Sequence, residues 1–128
     1  IRESLPWGLI IFFSPNQGGS GLQPQVLLFS GLVPRLLVDC SHANSGKDPQ
    51  RQPEVIDSVC EQLVGGERRL MGVMIESHLV GGRQDIVPGQ ALTYGQGITD
   101  SCIAWDETTP LIAQLAEAVR RRRSGAAN

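Results

Sequence analysis

The sequence predicts an α/β fold assembled from parallel βα units, and three observations predict it. Residues 35–40 and 70–75 are short apolar runs rich in β-formers, each leading to a polar side chain able to bind metal. A segment with helical apolar spacing comes after each run, so the order is strand, helix, strand, helix. The polar groups lie just past the strands, where parallel sheets and barrels carry their reactive side chains. At 128 residues the chain has the size of one ordinary domain and is too short for most complete (β/α)8 barrels.

Taken in order, residues 1–30 are poorly specified. Up to Pro34 the only charges are Arg2 and Glu3, amid many Gly, Pro, Gln and Ser. Residues 8–13 and 25–29 have strand character, but no helical periodicity surrounds them and no motif lies among them. Because the chain begins with Ile, an upstream portion is expected. Residues 35–40 carry Leu36-Leu37-Val38 between a proline and a polar loop, and read as a buried strand. Residues 41–52 read as a loop. Pro53 suits the first turn of a helix whose Val55, Ile56, Val59, Cys60 and Leu63 share one face. Gly65-Gly66 supplies a left-handed stop.

Residues 70–75 form the second strand, with Glu76 at its mouth. A long loop through Gly81-Gly82, Pro88-Gly89 and Gly95 leads to Asp100. Thr109 and Pro110 suit the cap and first turn of a last helix over residues 111–123, with Leu111, Leu115, Ala118 and Val119 inward. Four arginines at 120–123 complement the macrodipole of that helix and are expected to face solvent.

Composition excludes several classes of function. The net charge is −2 and the arginine run is the only dense basic patch, so no nucleic-acid footprint is expected. The longest apolar run, residues 7–13, is too short to span a bilayer and lacks the flanks of a signal peptide, so no membrane association is expected. Three cysteines without a CxxC pair point to a reduced, cytoplasmic setting.

The chemistry concentrates in three residues. Strand alternation points Val38, Cys40 and His42 one way and Asp39 and Ser41 the other, while Met74, Glu76 and His78 share a face. With both faces turned inward, His42 and Glu76 meet at the rim and Asp100 arrives from the loop. An imidazole with two carboxylates favours Mn, Fe, Co or Zn over Ca, and a fourth ligand is needed. Singly, His42 reads as a hydrogen-bonded strand end and Asp100 as a turn cap. Glu76 is less ordinary, because a carboxylate ending a buried strand must be paired, liganded or solvated. Together and in this order, the three favour a metal site. His78 is expected to bond within its loop and Cys40 to be a buried thiol, with metal ligation the alternative for each, while Cys60 and Cys102 read as core. Asn44-Ser45-Gly46-Lys47 fails as a phosphate loop, since Ser41 and Asp48 stand where Gly and Ser or Thr are required. Lys47 reads as a solvated lysine, with phosphate contact as the alternative.

Val38-Asp39-Cys40-Ser41-His42-Ala43-Asn44-Ser45, Gly72-Val73-Met74-Ile75-Glu76-Ser77-His78-Leu79 and Tyr94-Gly95-Gln96-Gly97-Ile98-Thr99-Asp100-Ser101-Cys102-Ile103 closely resemble the C-terminal part of class I 3-deoxy-D-arabino-heptulosonate 7-phosphate (DAHP) synthases. The resemblance runs from residue 32 to residue 123, with Gly97 where that family usually has Ser, a change expected to loosen the backbone beside Asp100.

The resemblance implies that residues 31–128 are the last two βα units of a (β/α)8 barrel and that residues 1–30 are not family-like. It implies condensation of phosphoenolpyruvate with erythrose 4-phosphate, with release of phosphate, as the first step of the shikimate pathway. His42, Glu76 and Asp100 then match three of four ligands to a divalent metal. The fourth is a Cys of the first barrel strand, without a counterpart here. The resemblance further implies that the metal would serve as a Lewis acid on the aldehyde oxygen while C3 of phosphoenolpyruvate attacks the carbonyl, water adds at C2 and phosphate leaves. Asp100 is also implied as a catalytic group that assists proton movement. The parent enzyme is implied to be a homo-oligomer, with its phosphate clamps on earlier strands.

By itself the 128-residue chain is expected to be marginally stable and inactive, because two parallel strands leave sheet edges and helix faces unpartnered. Two other readings stand beside this one. An aldolase using phosphoenolpyruvate with another sugar phosphate is disfavoured by the Ser41–Ser45 and Ile98-Thr99-Asp100 motifs. A non-catalytic remnant would bind metal weakly or dock on a complete homologue.

Overall fold

The structure, a computed structural model, describes residues 11–12 and 35–125. Three strands, β1 (Ile11–Phe12), β2 (Leu36–Asp39) and β3 (Leu70–Met74), form a parallel sheet in that order. The strand read at residues 8–13 thus appears in part, while that at 25–29 lies outside the described residues. On β2, Leu36 and Val38 are buried and Leu37 and Asp39 half-buried, the alternation of a strand with one face on a core.

Between β2 and β3 lies helix α1 (Gln52–Val64), entered through a single 3-10 turn, Pro49–Arg51. Asp48 caps that turn by accepting from the Gln50 amide at 3.0 Å. Pro53 occupies the first turn, and Gln52, Val55, Ile56, Val59, Cys60 and Leu63 form the buried face. The helix stops where the Gly65 amide bonds the Glu61 carbonyl, and the left-handed residue is Gly66 alone, at φ +94°. Gly65 keeps φ −69°.

The last helix, α2 (Trp105–Gly125), begins earlier than Thr109-Pro110 suggests. Local hydrogen bonds outweigh the proline. Glu107 Oε2 accepts from the Ala104 amide at 2.8 Å, and Thr108 Oγ1 donates to the Ala104 carbonyl at 2.9 Å. Pro110 therefore sits inside the helix, where it cannot donate to the Asp106 carbonyl. The Thr109 hydroxyl donates to that carbonyl instead, at 3.3 Å. Leu111 and Ala118 are buried, with Leu115 and Val119 packed partly buried against the same core. Of the terminal arginines, Arg122 does not simply face solvent. It reaches across to the Glu67 carbonyl at 2.8 Å.

The segment expected as one long loop contains short strands. β4 (Ser77–His78) runs parallel to β7 (Ile103–Ala104), and β5 (Val80–Arg83) runs parallel to β6 (Gln96–Gly97). Strands this short carry too few residues for a period-2 signal, which is why the pattern hides them. The core lies where α1 and α2 cover the sheet, around Leu36, Val38, Ile56, Val59, Leu63 and Ile103. No described helix is long and apolar enough to cross a membrane.

Candidate metal centre

β2 stops at Asp39 because that side chain captures the backbone beyond it. Asp39 Oδ1 accepts from the amides of Ser41 at 2.8 Å and His42 at 3.3 Å. The chain therefore turns, and the alternation expected to carry His42 onto the face of Val38 and Cys40 does not continue. Ring orientation comes from Asp39 instead: His42 Nδ1–H donates to Asp39 Oδ2 at 2.8 Å. This leaves Nε2 as the outward lone pair, 3.5 Å from Glu76 Oε1.

Glu76 falls in the gap between β3 and β4, half-buried, and its Oε2 accepts from Ser41 Oγ at 2.5 Å. Asp100 lies exposed in the turn before β7. Arg83 Nη1 donates to the neighbouring Thr99 carbonyl at 3.3 Å. One ligand atom from each of His42, Glu76 and Asp100 lies within 4.8 Å of the other two. They line a small cleft of about 30 Å³ with Ser41, Lys47 and Ser101. A neutral imidazole nitrogen and two carboxylates are a donor set suited to a divalent metal.

A Cβ placed at Gly97 would come 3.1 Å from the Asp100 carbonyl, so the missing side chain lets the Asp100 turn close tightly on β6.

Electrostatics follow the geometry. Partial burial pushes the Asp39 carboxyl up, but the Ser41 amide and the His42 side chain outweigh it and hold Asp39 below its ordinary value. The hydrogen bond to Asp39 and the charge of that carboxylate raise His42, against a small desolvation; Glu76 and Asp100 add to the rise. A proton and a metal compete for the same imidazole, so metal affinity should fall as pH drops through the raised His42 value. In metal-free protein the sign is opposite. The His42–Asp39 pair contributes its stability fully below the ordinary imidazole value and loses it as pH rises through the raised one.

Asp39→Asn should weaken Co(II) binding by roughly 10- to 100-fold, although it also lowers the competing proton affinity, because the ring loses the partner that fixes its tautomer and aim. Calorimetric titration at several pH values checks both expectations. Unchanged affinity for Asp39→Asn would remove Asp39 from the site.

The remaining candidates separate clearly. His78 is exposed, and its Nδ1 accepts from the Leu79 amide at 2.8 Å, a bond within its own loop. Cys40 is fully buried, its thiol pushed up to about 12 by burial and then by Asp39, so it remains protonated. Cys60 is buried as expected. Cys102 is only half-buried, with Sγ 3.7 Å from the Asp100 carbonyl, because the turn that carries it lies at the cleft rather than in the core. Lys47 is exposed yet lines the cleft, at φ +65°, with its amide bonded to the His42 carbonyl at 2.8 Å. Sequence patterning misses Asp39 and Ser41, which it assigns to the opposite face. Their available signal is an Asp placed two residues before Ser and three before His at a strand end, an Asx-turn composition.

The family profile described as DAHP synthetase I matches residues 14–113. The chain belongs to the DAHP synthetase I family. It is 50% identical over 99 residues to the phospho-2-dehydro-3-deoxyheptonate aldolase of Haemophilus influenzae, covering 77% of this chain and 27% of that protein. A Corynebacterium glutamicum protein of the same description is 52% identical over 99 residues, with 72% and 27% covered. Among solved structures, the Francisella tularensis phospho-2-dehydro-3-deoxyheptonate aldolase superposes with a TM-score of 0.65 at 46% identity, over 69% of this chain and 25% of that one. The chain thus spans about a quarter of the length of these DAHP synthetase relatives. Its described residues form a mixed α/β portion of such an enzyme.

Proposed function

We propose that residues 31–128 are the C-terminal two βα units of a (β/α)8 barrel whose open end condenses phosphoenolpyruvate with D-erythrose 4-phosphate, giving DAHP and phosphate. The observation that carries this reading is the convergence of His42, Glu76 and Asp100, from three separate segments, on one point in a DAHP synthetase chain. These three residues would hold a divalent metal, Mn, Fe, Co or Zn by donor type. When bound, such a metal supplies Lewis acidity toward the aldehyde oxygen of the sugar phosphate.

The chain's own groups divide the remaining tasks. Asp39 fixes the His42 ring so that Nε2 faces the cleft, and Ser41 fixes the Glu76 carboxylate by its hydroxyl. Asp100 is exposed at the mouth, where a carboxylate can take or return a proton of a bound substrate. Lys47 brings a cation to the rim of the cleft, where it is available to a phosphate group of a bound substrate.

A chimaera tests the proposal. Residues 35–125 replace the matching segment of the Haemophilus influenzae relative, and phosphate release from the two substrates is followed with and without metal. Metal-dependent DAHP formation that is lost on Asp100→Asn is the expected result. A chimaera that folds and binds metal but releases no phosphate would reject the catalytic reading in favour of a non-catalytic remnant.

A further inference from the structure

Glu76 stands where the sheet breaks. The last bond between β2 and β3 runs from the Cys40 amide to the Met74 carbonyl, after which β2 turns away into the Asp39 loop. The peptide groups of Glu76 have therefore lost their strand neighbour on that side, and backbone polar groups inside a protein need partners. The side chain of Gln52, at the first position of α1, fills the gap. Its Oε1 accepts from the Glu76 amide at 2.9 Å and its Nε2 donates to the Glu76 carbonyl at 3.0 Å. Gln52 is fully buried, at 0% exposure. On the other side the Ile103 amide donates to the same carbonyl at 3.1 Å.

We infer that Gln52 is a positioning residue for the metal centre: its amide replaces the missing strand and sets the place of Glu76. Resting on the metal reading above, the inference adds a residue outside the cleft lining. An apolar side chain of the same length would fill the volume as well, so packing alone does not require an amide there. The paired bonds are directional, and a primary amide presents one donor and one acceptor side by side, as a peptide does. With Ser41 on the carboxylate, Gln52 and Ile103 on the peptide, the ligand is held by three separate segments.

The test compares Gln52→Met, Gln52→Asn and Ile56→Val in the full chain, reading Co(II) affinity and the visible d–d spectrum of bound Co(II) under conditions where circular dichroism shows folded protein. Ile56 is fully buried on the same helix, so Ile56→Val controls for general softening. Gln52→Met should bind on the order of 10-fold more weakly, with an altered spectrum, while Ile56→Val binds as the parent does. Equal affinity and spectrum for Gln52→Met would overturn the inference, as would an equal loss in Ile56→Val. If Gln52→Met does not fold, Gln52→Asn decides, because it keeps a neutral amide but is one methylene too short to bond both Glu76 peptide groups. A smaller loss with a shifted spectrum supports the inference, and parental behaviour overturns it. A parent chain that binds no Co(II) would instead overturn the metal reading, and this inference with it.

Discussion

Replacing His42 with alanine should abolish specific divalent-metal binding, a larger loss than the roughly 10- to 100-fold that removal of an outer partner such as Asp39 produces. His42 is the sole nitrogen donor of the cluster, and its Nε2 is the atom that the Asp39 contact leaves for a cation. Without it two carboxylates remain, a harder donor set that no longer favours the later transition metals over Ca. Selectivity should therefore collapse along with affinity. The measurement is a pair of titrations, with Co(II) and with Ca(II), on parent and His42→Ala chains. If His42→Ala retains parental Co(II) affinity, the cation binds elsewhere and the cluster is no metal centre. Removing metal from the parent with a chelator should reproduce the behaviour of the substituted chain.

The second large effect belongs to the core. Ile56→Ala should destabilise the fold by about 2–5 kcal/mol, the usual cost of truncating a fully buried aliphatic side chain and leaving a cavity. Ile56 is 0% exposed, on the face of α1 that packs under α2 and over the sheet. Even against the stability of about 5–15 kcal/mol of an ordinary domain that loss is severe, and this chain is expected to start lower. Ile112→Ala, on α2 and 49% exposed, should change stability by no more than about 0.5 kcal/mol. Urea unfolding followed by circular dichroism measures both. A loss below about 1 kcal/mol for Ile56→Ala would mean that this core is loosely filled.

Much of this structure is legible in the sequence where periodicity is long enough to read. The face Val55, Ile56, Val59, Cys60 and Leu63 repeats over about two and a half turns, and all five residues are buried. The strands around Leu36-Leu37-Val38 and residues 70–74 are bounded by Pro34 and by polar loops, and both form. The start of α2 is misread because Pro110 looks like a helix beginning, whereas the Glu107 cap on the Ala104 amide and the Thr108 bond to the Ala104 carbonyl set it earlier. β4 to β7 escape because two to four residues define no period.

At the site, the identities of His42, Glu76 and Asp100 are legible from residue type and placement after strands. The way they meet is not. A strand rule extends alternation through His42, while the Asp39 side chain ends the strand first. Gln52 is hidden for a related reason. A glutamine at a helix start reads as surface, and only the break between β3 and β4 shows what its amide replaces.

The excursion that leaves Glu76 and returns at Asp100 has little interior of its own. Ile86, Val87, Leu92 and Tyr94 all stand in the open along it. Its shape rests on backbone pairing and on Gln84, whose amide bridges Thr93 and Gln96. A cation shared by both ends would fasten this excursion to the turn that carries His42, as a clasp closes a strap. Occupancy would then govern stiffness as well as reactivity: protection of these amides against solvent hydrogen exchange would rise with each increment of bound ion, while the helices remained indifferent.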